Sequence, residues 1–151
     1  MVQARAISNL TGLQNLDKKL GAAVDELKRN VLTRMATTIV EASPVDSGYY
    51  VRNHTLALRS GSFRATQTRP DSAPRRTKGD PVDVAAAKAA GLSKLMGEIG
   101  AINIKSNNFV FRNPMLYANL VEGLRGAYAQ ARRDMTSVVR EEVQKLSQRL
   151  E

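Results

Sequence analysis

The chain has 151 residues, of which 42% are hydrophobic, and it contains no cysteine and no tryptophan. This length and apolar content predict one domain, spanning residues 1–151, and the missing cysteine excludes disulfides, thiolate metal sites and cysteine nucleophiles. Because 23 Lys and Arg stand against 14 Asp and Glu, the net charge of +9 favours polyanionic partners such as nucleic acid or an acidic protein.

The N-terminal residues do not have the pattern of a secretory signal. No uncharged apolar run approaches the roughly 18 residues that a membrane-spanning helix needs. We therefore expect a soluble chain that is cytosolic when it is made and has no membrane partner.

The first strong pattern is a stripe of apolar residues at steps of three or four between Leu13 and Ile39. It predicts an amphipathic helix from Leu13 to Ala42, which Pro44 ends because proline disfavours helical geometry at Ser43. An unbroken helix of about 30 residues is roughly 45 Å long. Because this exceeds what one small domain covers, we expect part of the stripe to contact another chain.

Residues 44–48 read Pro-Val-Asp-Ser-Gly, a combination that predicts a tight turn. Behind it, residues 55–58 and 61–65 have strand character and indicate a strand or a hairpin. Residues 60–80 carry prolines and basic side chains without periodicity, which predicts a mobile loop or arm. The basic residues of this region are Arg59, Arg64, Arg69, Arg75, Arg76 and Lys78.

A second helix is predicted to start at Asp80, the expected N-cap, with Pro81 at the first helical position and Asp83 in the first turn. This alanine-rich middle helix is expected to run toward Gly97. Residues 102–104 and 109–111 then alternate around a polar turn, which predicts a short hairpin.

A short helical segment around residues 116–121 follows, interrupted by Gly123 and Gly126, and a C-terminal helix is predicted from Ala127 to Leu150. Together these elements predict an α+β fold. Its small, mainly antiparallel sheet packs against a long N-terminal helix, a middle helix and a C-terminal helix.

Residue types that usually carry catalysis are scarce. His54 is the one histidine, and a lone histidine beside a strand is more often structural than catalytic. The glycine-rich phosphate loops and the serine nucleophile elbow are missing from the sequence. The acid pairs Asp80/Asp83 and Glu141/Glu142 are explained by helix capping or by a solvated helix face. We therefore expect a binding or assembly protein without a cofactor, rather than an enzyme.

One motif carries more information than these absences. It comes directly after the first predicted helix, and Arg52 and a strand follow it. It consists of Ser43, Pro44, Val45, Asp46, Ser47 and Gly48. The motif resembles the S-P-V-D-T-G series of the neck, or tail-completion, proteins of tailed bacteriophages, a family related to the minor tail protein Z family of phage lambda. In that family the motif ends the first helix and opens the first strand.

A second series lies further along the chain, after the Asp80-Pro81 helix start. It resembles the family's asparagine, Y-A and E-x-G positions, and consists of Asn113, Tyr117, Ala118, Glu122 and Gly123. The chain departs from the family in having no tryptophan in the first strand and no serine or Ala-Pro pair after Gly123. Tyr117 and Ala118 are expected to pack in the core. Glu122 is expected to be either a solvated charge or a contact with a partner.

The resemblance implies a structural virion protein at the head–tail junction, assembled in the host cytoplasm into a ring of about six or twelve copies around the DNA channel. Its implied neighbours are the portal or adaptor on one side and the tail terminator or tail tube on the other. In such a ring the basic segment faces packaged DNA without reading its sequence, or docks on an acidic patch of an adjoining protein. A solvated, mobile loop is the third alternative.

A function of a different class stays open: a small basic protein that binds nucleic acid directly. Its support is the net charge and the basic helix faces that carry Lys18, Lys19, Lys28 and Arg29. Nearby acids dilute those faces, and no compact helix-turn-helix arrangement is evident.

Overall fold

The computed structural model describes the backbone of residues 2–58 and 79–150, with side chains from residue 15 onward. The predicted strand at 61–65 and all six basic residues from Arg59 to Lys78 lie outside the described residues. The elements, in chain order, are helix α1 (Val2–Ala42), short helix α2 (Tyr49–Arg52), strand β1 (Thr55–Leu58), helix α3 (Val84–Ala101), strand β2 (Phe109–Arg112), helix α4 (Ala118–Arg125) and helix α5 (Ala127–Leu150). Three long helices around a two-stranded antiparallel sheet confirm the predicted α+β class.

Helix α1 ends where the sequence predicts but begins earlier. It runs from Val2, not from Leu13, and its 41 residues are about 60 Å long. The apolar stripe begins only at Leu13, but residues 2–11 contain no proline or glycine that would disfavour a helix, and α1 continues through Gly12. At the other end, the Ser43 Oγ donates to the Ile39 carbonyl at 2.6 Å and so satisfies a carbonyl of the last turn.

Helices α1 and α5 pack side by side in antiparallel directions. Arg34 forms ion pairs with Glu141 at 2.7 Å and with Glu142 at 3.2 Å. Arg149, near the end of α5, pairs with Glu26 at 2.8 Å, so α1 continues beyond the end of α5 for about 24 residues, or roughly 36 Å.

The sheet corrects one prediction from the sequence. Strand β2 pairs with β1, not with residues 102–104, and the register joins Thr55 to Arg112 and Leu58 to Phe109. The expected hairpin does not form because Ile104 is buried in the hydrophobic cluster and the segment after α3 is a turn. Alternation of apolar residues is a local signal, whereas the true strand partner lies more than 50 residues away in the sequence.

The outer edge of β1 meets a carboxylate of α3. Glu98 accepts a hydrogen bond from the Leu56 amide at 2.7 Å and another from the Thr55 hydroxyl at 3.1 Å. Lys94, one turn earlier on α3, donates to the His54 carbonyl at 2.7 Å and lies 3.6 Å from Glu98. These contacts fix α3 against the start of the strand.

Helix α3 starts later and ends later than predicted. Its N-cap is Asp83, whose carboxylate accepts from the Ala86 amide at 2.9 Å, so Asp80 is not the cap. The helix continues through Gly97 and Gly100 to Ala101. Its C-terminal carbonyls at Ile99 and Gly100 accept hydrogen bonds from Arg29 of α1. This tertiary contact stabilises the C-terminal end of α3, which no local sequence signal predicts.

The core lies where α1, α3 and the sheet meet. It is formed by Leu32, Ala36, Val40, Val51, Leu56, Ala87, Leu95, Ile99 and Ile104. Gly91 allows α3 to approach α2 closely, because a Cβ at this position would stand 2.3 Å from the Val51 carbonyl oxygen. Within the described ranges, no helix is both long and apolar enough to cross a membrane.

Candidate functional site

The first motif forms the turn between α1 and α2. Gly48 has φ 80°, a left-handed conformation that glycine adopts without the penalty that a side chain brings. The Ser47 Oγ accepts a hydrogen bond from the Tyr49 amide at 3.3 Å, while Asp46 is exposed at the tip of the turn. The chain after Gly48 forms α2 before it reaches β1, so the strand does not open directly at the motif as the resemblance implies.

The other motif positions near this turn have packing roles. Val45 is half-buried and packs against the core cluster, and Pro44 lies at the wall of a surface cleft. Arg52 is half-buried in α2, and its side chain runs alongside Gly48.

His54 lies completely buried between the end of α1 and the start of α5. Its Nε2 is 2.7 Å from the Ser43 Oγ, and its Nδ1 is 2.6 Å from the Tyr128 hydroxyl. The Ser43 hydroxyl hydrogen is directed to the Ile39 carbonyl, so the Oγ must accept from His54. This assigns the proton to Nε2 and leaves Nδ1 to accept from Tyr128.

The surroundings of His54 hold it neutral. Burial lowers the pKa of His54 to about 3, and the nearby Lys94 ammonium contributes in the same direction. Burial also raises the pKa of the hydroxyls of Tyr50 and Tyr128, whose rings make edge contacts with the imidazole. A serine beside a histidine would suit nucleophilic catalysis, but here both side chains are buried and Ser43 is engaged by the helix end, so the pair serves structure.

Asn113 joins the second series to the first. Its Nδ2 donates to the Tyr50 carbonyl at 2.9 Å and lies 3.3 Å from His54 Nδ1, while its Oδ1 accepts from the Met115 amide at 3.1 Å. These bonds fix the orientation of the amide and connect α2, the histidine and the segment after β2. No local pattern in the sequence indicates this connection, because Asn113 is about 60 residues from Tyr50 and His54.

Glu122 has a role that the sequence did not predict. Its two carboxylate oxygens accept from the amides of Tyr128 and Ala129 at 3.1 and 2.9 Å, so it caps the first turn of α5. Gly126, with φ 65°, makes the bend that brings α5 back toward this carboxylate. Gly123 is exposed on α4. An acid a few residues before a Gly-Ala helix start is the signal that could have identified the cap.

Tyr117 and Ala118 are half-buried at the start of α4, so they are packed less deeply than a core position would be. Tyr117 faces the first motif across a cleft of about 450 Å³, where Ser47 and Asp46 lie near its hydroxyl. The cleft is lined by Pro44, Asp46, Ser47, Gly48, Tyr49, Tyr50, Tyr117, Leu120 and Val121. The two motif series, separate in the sequence, therefore meet at one surface.

Two helices carry exposed apolar stripes. The α1 stripe consists of Leu16, Leu20 and Val24, with 43–53% of each side chain exposed. The α4 stripe consists of Leu116, just before the helix, and Leu120 and Leu124 on it, with 59–75% of each residue exposed, and α4 itself has no buried residue. Patches of this kind are typical of protein–protein contact sites.

The apolar surface of α1 continues into a groove beside the sheet. Leu27, Val31 and Met35 of α1 form one wall of this groove, and Met135 and Val139 of α5 form the other. Phe109 and Phe111 of β2 also line it, and its volume is about 300 Å³.

Some of the basic residues of α1 make hydrogen bonds within the fold. Lys28 donates to the carbonyls of Ile104 and Ser106, and Arg29 donates to the end of α3. Lys18 and Lys19 are exposed. In the part of the chain that the structure describes, no group of His, Cys, Asp and Glu has the arrangement of a metal site.

No protein-family model matches the chain, and no curated protein or solved structure is significantly similar to it.

Proposed function

We propose that the protein is a structural component of the neck of a tailed bacteriophage, where identical copies form a ring between the head and the tail. The proposal begins from the ordered resemblance of the two motif series. It is supported by the way their residues hold the ends of α1, α4 and α5 in fixed relation through His54, Asn113 and Glu122.

The observation that carries the proposal is the separation of the two apolar stripes. The α4 stripe lies beside the C-terminal end of α1, since Leu120 and Pro44 line the same cleft. The α1 stripe starts at Leu16, and the helix from there to Ala42 is about 39 Å long. A subunit with two different contact surfaces far apart joins its copies head to tail, and such contacts close into rings when the rotation between copies allows.

The α1 stripe needs a covering surface that α5 does not supply, because α5 ends near Glu26. An isolated amphipathic helix is marginally stable in water, so docking its stripe on a neighbour stabilises both partners. In the proposed ring, the α1 stripe of one copy contacts the α4 stripe of the next. Portal or adaptor proteins and the tail terminator or tail tube would then contact the two rims of the ring.

A small DNA-binding protein is the second candidate. The structure weakens one of its supports, because Lys28 and Arg29 make bonds within the fold. A different observation favours it: α5 exposes Arg132, Arg133 and Arg140, and none of them makes an ion pair within the described ranges.

Native mass spectrometry of the purified chain and of dissociated phage particles tests the neck proposal, with electron microscopy locating the chain in the particle. We expect a ring of about six or twelve copies at the head–tail junction. Absence of the chain from particles, together with a monomer that binds DNA tightly, would contradict the proposal and favour the second candidate.

A further inference from the structure

Positive and negative charges are segregated on α5. Its acids are directed along the helix or toward α1: Glu141 and Glu142 pair with Arg34, and Asp134 accepts from Gln130. Lys145 also pairs with Glu142, and together with Arg34 it holds the pKa of that carboxyl below its usual value. Glu141 and Glu142 are therefore already paired with cations within the fold, and Asp134 accepts from a neutral amide.

The outer face of α5 has the opposite character. With 3.6 residues per turn, Arg133 and Arg140 are two turns apart, on one face and about 10 Å from each other along the axis. Arg132 lies at the edge of this face, and all three side chains are exposed. Among the residues that the structure describes, Arg133 donates to the neutral Gln130 side chain and makes no ion pair.

Polar side chains adjoin Arg133 and Arg140 on this face. Thr136 lies between Arg133 and Arg140, and Gln144 and Ser147 continue the same face beyond Arg140; all three are exposed, so hydroxyl and amide donors adjoin the guanidinium groups. Hydroxyl, amide and guanidinium donors are the groups that contact phosphate oxygens in protein–DNA complexes. A protein-binding surface would instead carry an apolar or aromatic centre depleted of charge.

We propose that the outer face of α5, through Arg132, Arg133 and Arg140, binds the phosphate backbone of duplex DNA without reading its sequence. These arginines are not among the basic residues of the segment at 60–80, and the proposal goes beyond the neck assignment because a single chain would also show it. In a ring, the same face would line the channel through which the DNA passes.

The test measures binding of the purified full-length chain to a labelled duplex of random sequence by fluorescence anisotropy over a range of salt concentrations. The R133Q/R140Q variant removes two charges from the proposed face. The matched control K105Q/R149Q removes two charges that pair with Asp25 and Glu26 on α1. A third variant, R133K/R140K, keeps both charges. Circular dichroism checks that each variant is folded.

We expect R133Q/R140Q to bind about tenfold or more weakly at 0.1 M salt, and its slope of log affinity against log salt to fall by about two, one for each lost phosphate contact. The control and R133K/R140K should stay within about threefold of the unmodified chain. Equal losses in R133Q/R140Q and K105Q/R149Q would overturn the proposal, because binding would then follow net charge and not this face.

The outcome is separable from that of the neck proposal. A chain that forms the particle ring but whose DNA affinity is unaffected by R133Q/R140Q refutes the α5 surface alone. A chain missing from particles whose affinity falls as expected refutes the neck assignment alone.

Discussion

Burial and the nearby Lys94 ammonium keep His54 neutral inside the protein. Its Nε2–H group donates a hydrogen bond to the Ser43 Oγ. In the neutral imidazole Nδ1 is an acceptor, and it faces two donors, the Tyr128 hydroxyl and the Asn113 amide. Protonation would turn Nδ1 into a donor, which would then oppose both of these groups. The imidazole therefore resists protonation in the folded state, while in the unfolded chain it titrates near 6.5.

This difference predicts a loss of stability in mild acid. Because the folded pKa of about 3 lies below the unfolded value, the unfolded chain binds the proton first as the pH falls, and the stability present above pH 6.5 is lost progressively. We expect the free energy of unfolding to decrease by about 2 kcal/mol between pH 7 and pH 5, a range above the ordinary carboxylate pKa values. Urea titrations at fixed protein concentration measure it.

The matched variant for this experiment is His54→Gln, which keeps an amide donor but does not titrate. It should be less stable than the unmodified chain at pH 7, yet its stability should change little down to pH 5. A flat profile for the unmodified chain would show that His54 gains protons equally in both states, contrary to its burial.

At the scale of an element, helix α3 packs closely against α2 at one position. Gly91 stands against the Val51 carbonyl, where a methyl group would lie 2.3 Å from the oxygen, and backbone atoms on α2 cannot move as a flexible side chain can. Gly97 lies on the same helix with nothing within 4 Å of its would-be Cβ. Alanine substitutions at these two positions therefore distinguish the effect of helix propensity on stability from the effect of packing.

We expect Gly91→Ala to destabilise the fold by about 1–3 kcal/mol, because α3 must shift away from α2. Gly97→Ala should stabilise it by up to about 1 kcal/mol, because alanine favours the helix and meets no neighbour. Chemical denaturation of both variants under the same conditions measures the difference. Stabilisation by both substitutions would contradict the close approach of the two helices.

The types of the long helices and of both observed strands were predictable from local patterns, but the strand predicted at 102–104 was wrong, α2 was not predicted, and the partners of the elements were not predictable. Pro44 predicts where α1 ends, and the spacing of apolar residues predicts α5. The pairing of β1 with β2 and the capping of α3 by Arg29 join distant residues, for which no local signal exists. The motif positions were identified by resemblance, yet the roles of Asn113 and Glu122 became evident only from their hydrogen bonds.

For the whole molecule, the proposed head-to-tail contact makes a prediction that a symmetric dimer does not. Leu16→Asp/Leu20→Asp disrupts the α1 stripe, and Leu120→Asp/Leu124→Asp disrupts the α4 stripe. Each variant alone should be monomeric, because one stripe of every contact is missing. Mixed together, they should form a heterodimer and nothing larger, since the intact α1 stripe of one docks on the intact α4 stripe of the other.

Native mass spectrometry over increasing concentrations measures these species. The control N15D/N119D places the same number of acids on exposed positions of the same two helix regions and should assemble like the unmodified chain. If the variant with a disrupted α4 stripe dimerises by itself, then the α1 stripe binds the α1 stripe of another copy, and the proposed head-to-tail contact is wrong.

The contact of Glu98 with the first strand determines how the sheet can grow. The outward-facing Leu56 amide, a donor that a further strand would require, is already bonded to the Glu98 carboxylate. Exposed strand edges are the places where chains join by adding strands and where uncontrolled aggregation begins. A strand from a neighbouring chain therefore cannot be added at the start of β1 without displacing the Glu98 carboxylate, so a charged side chain of α3 limits how this sheet can grow.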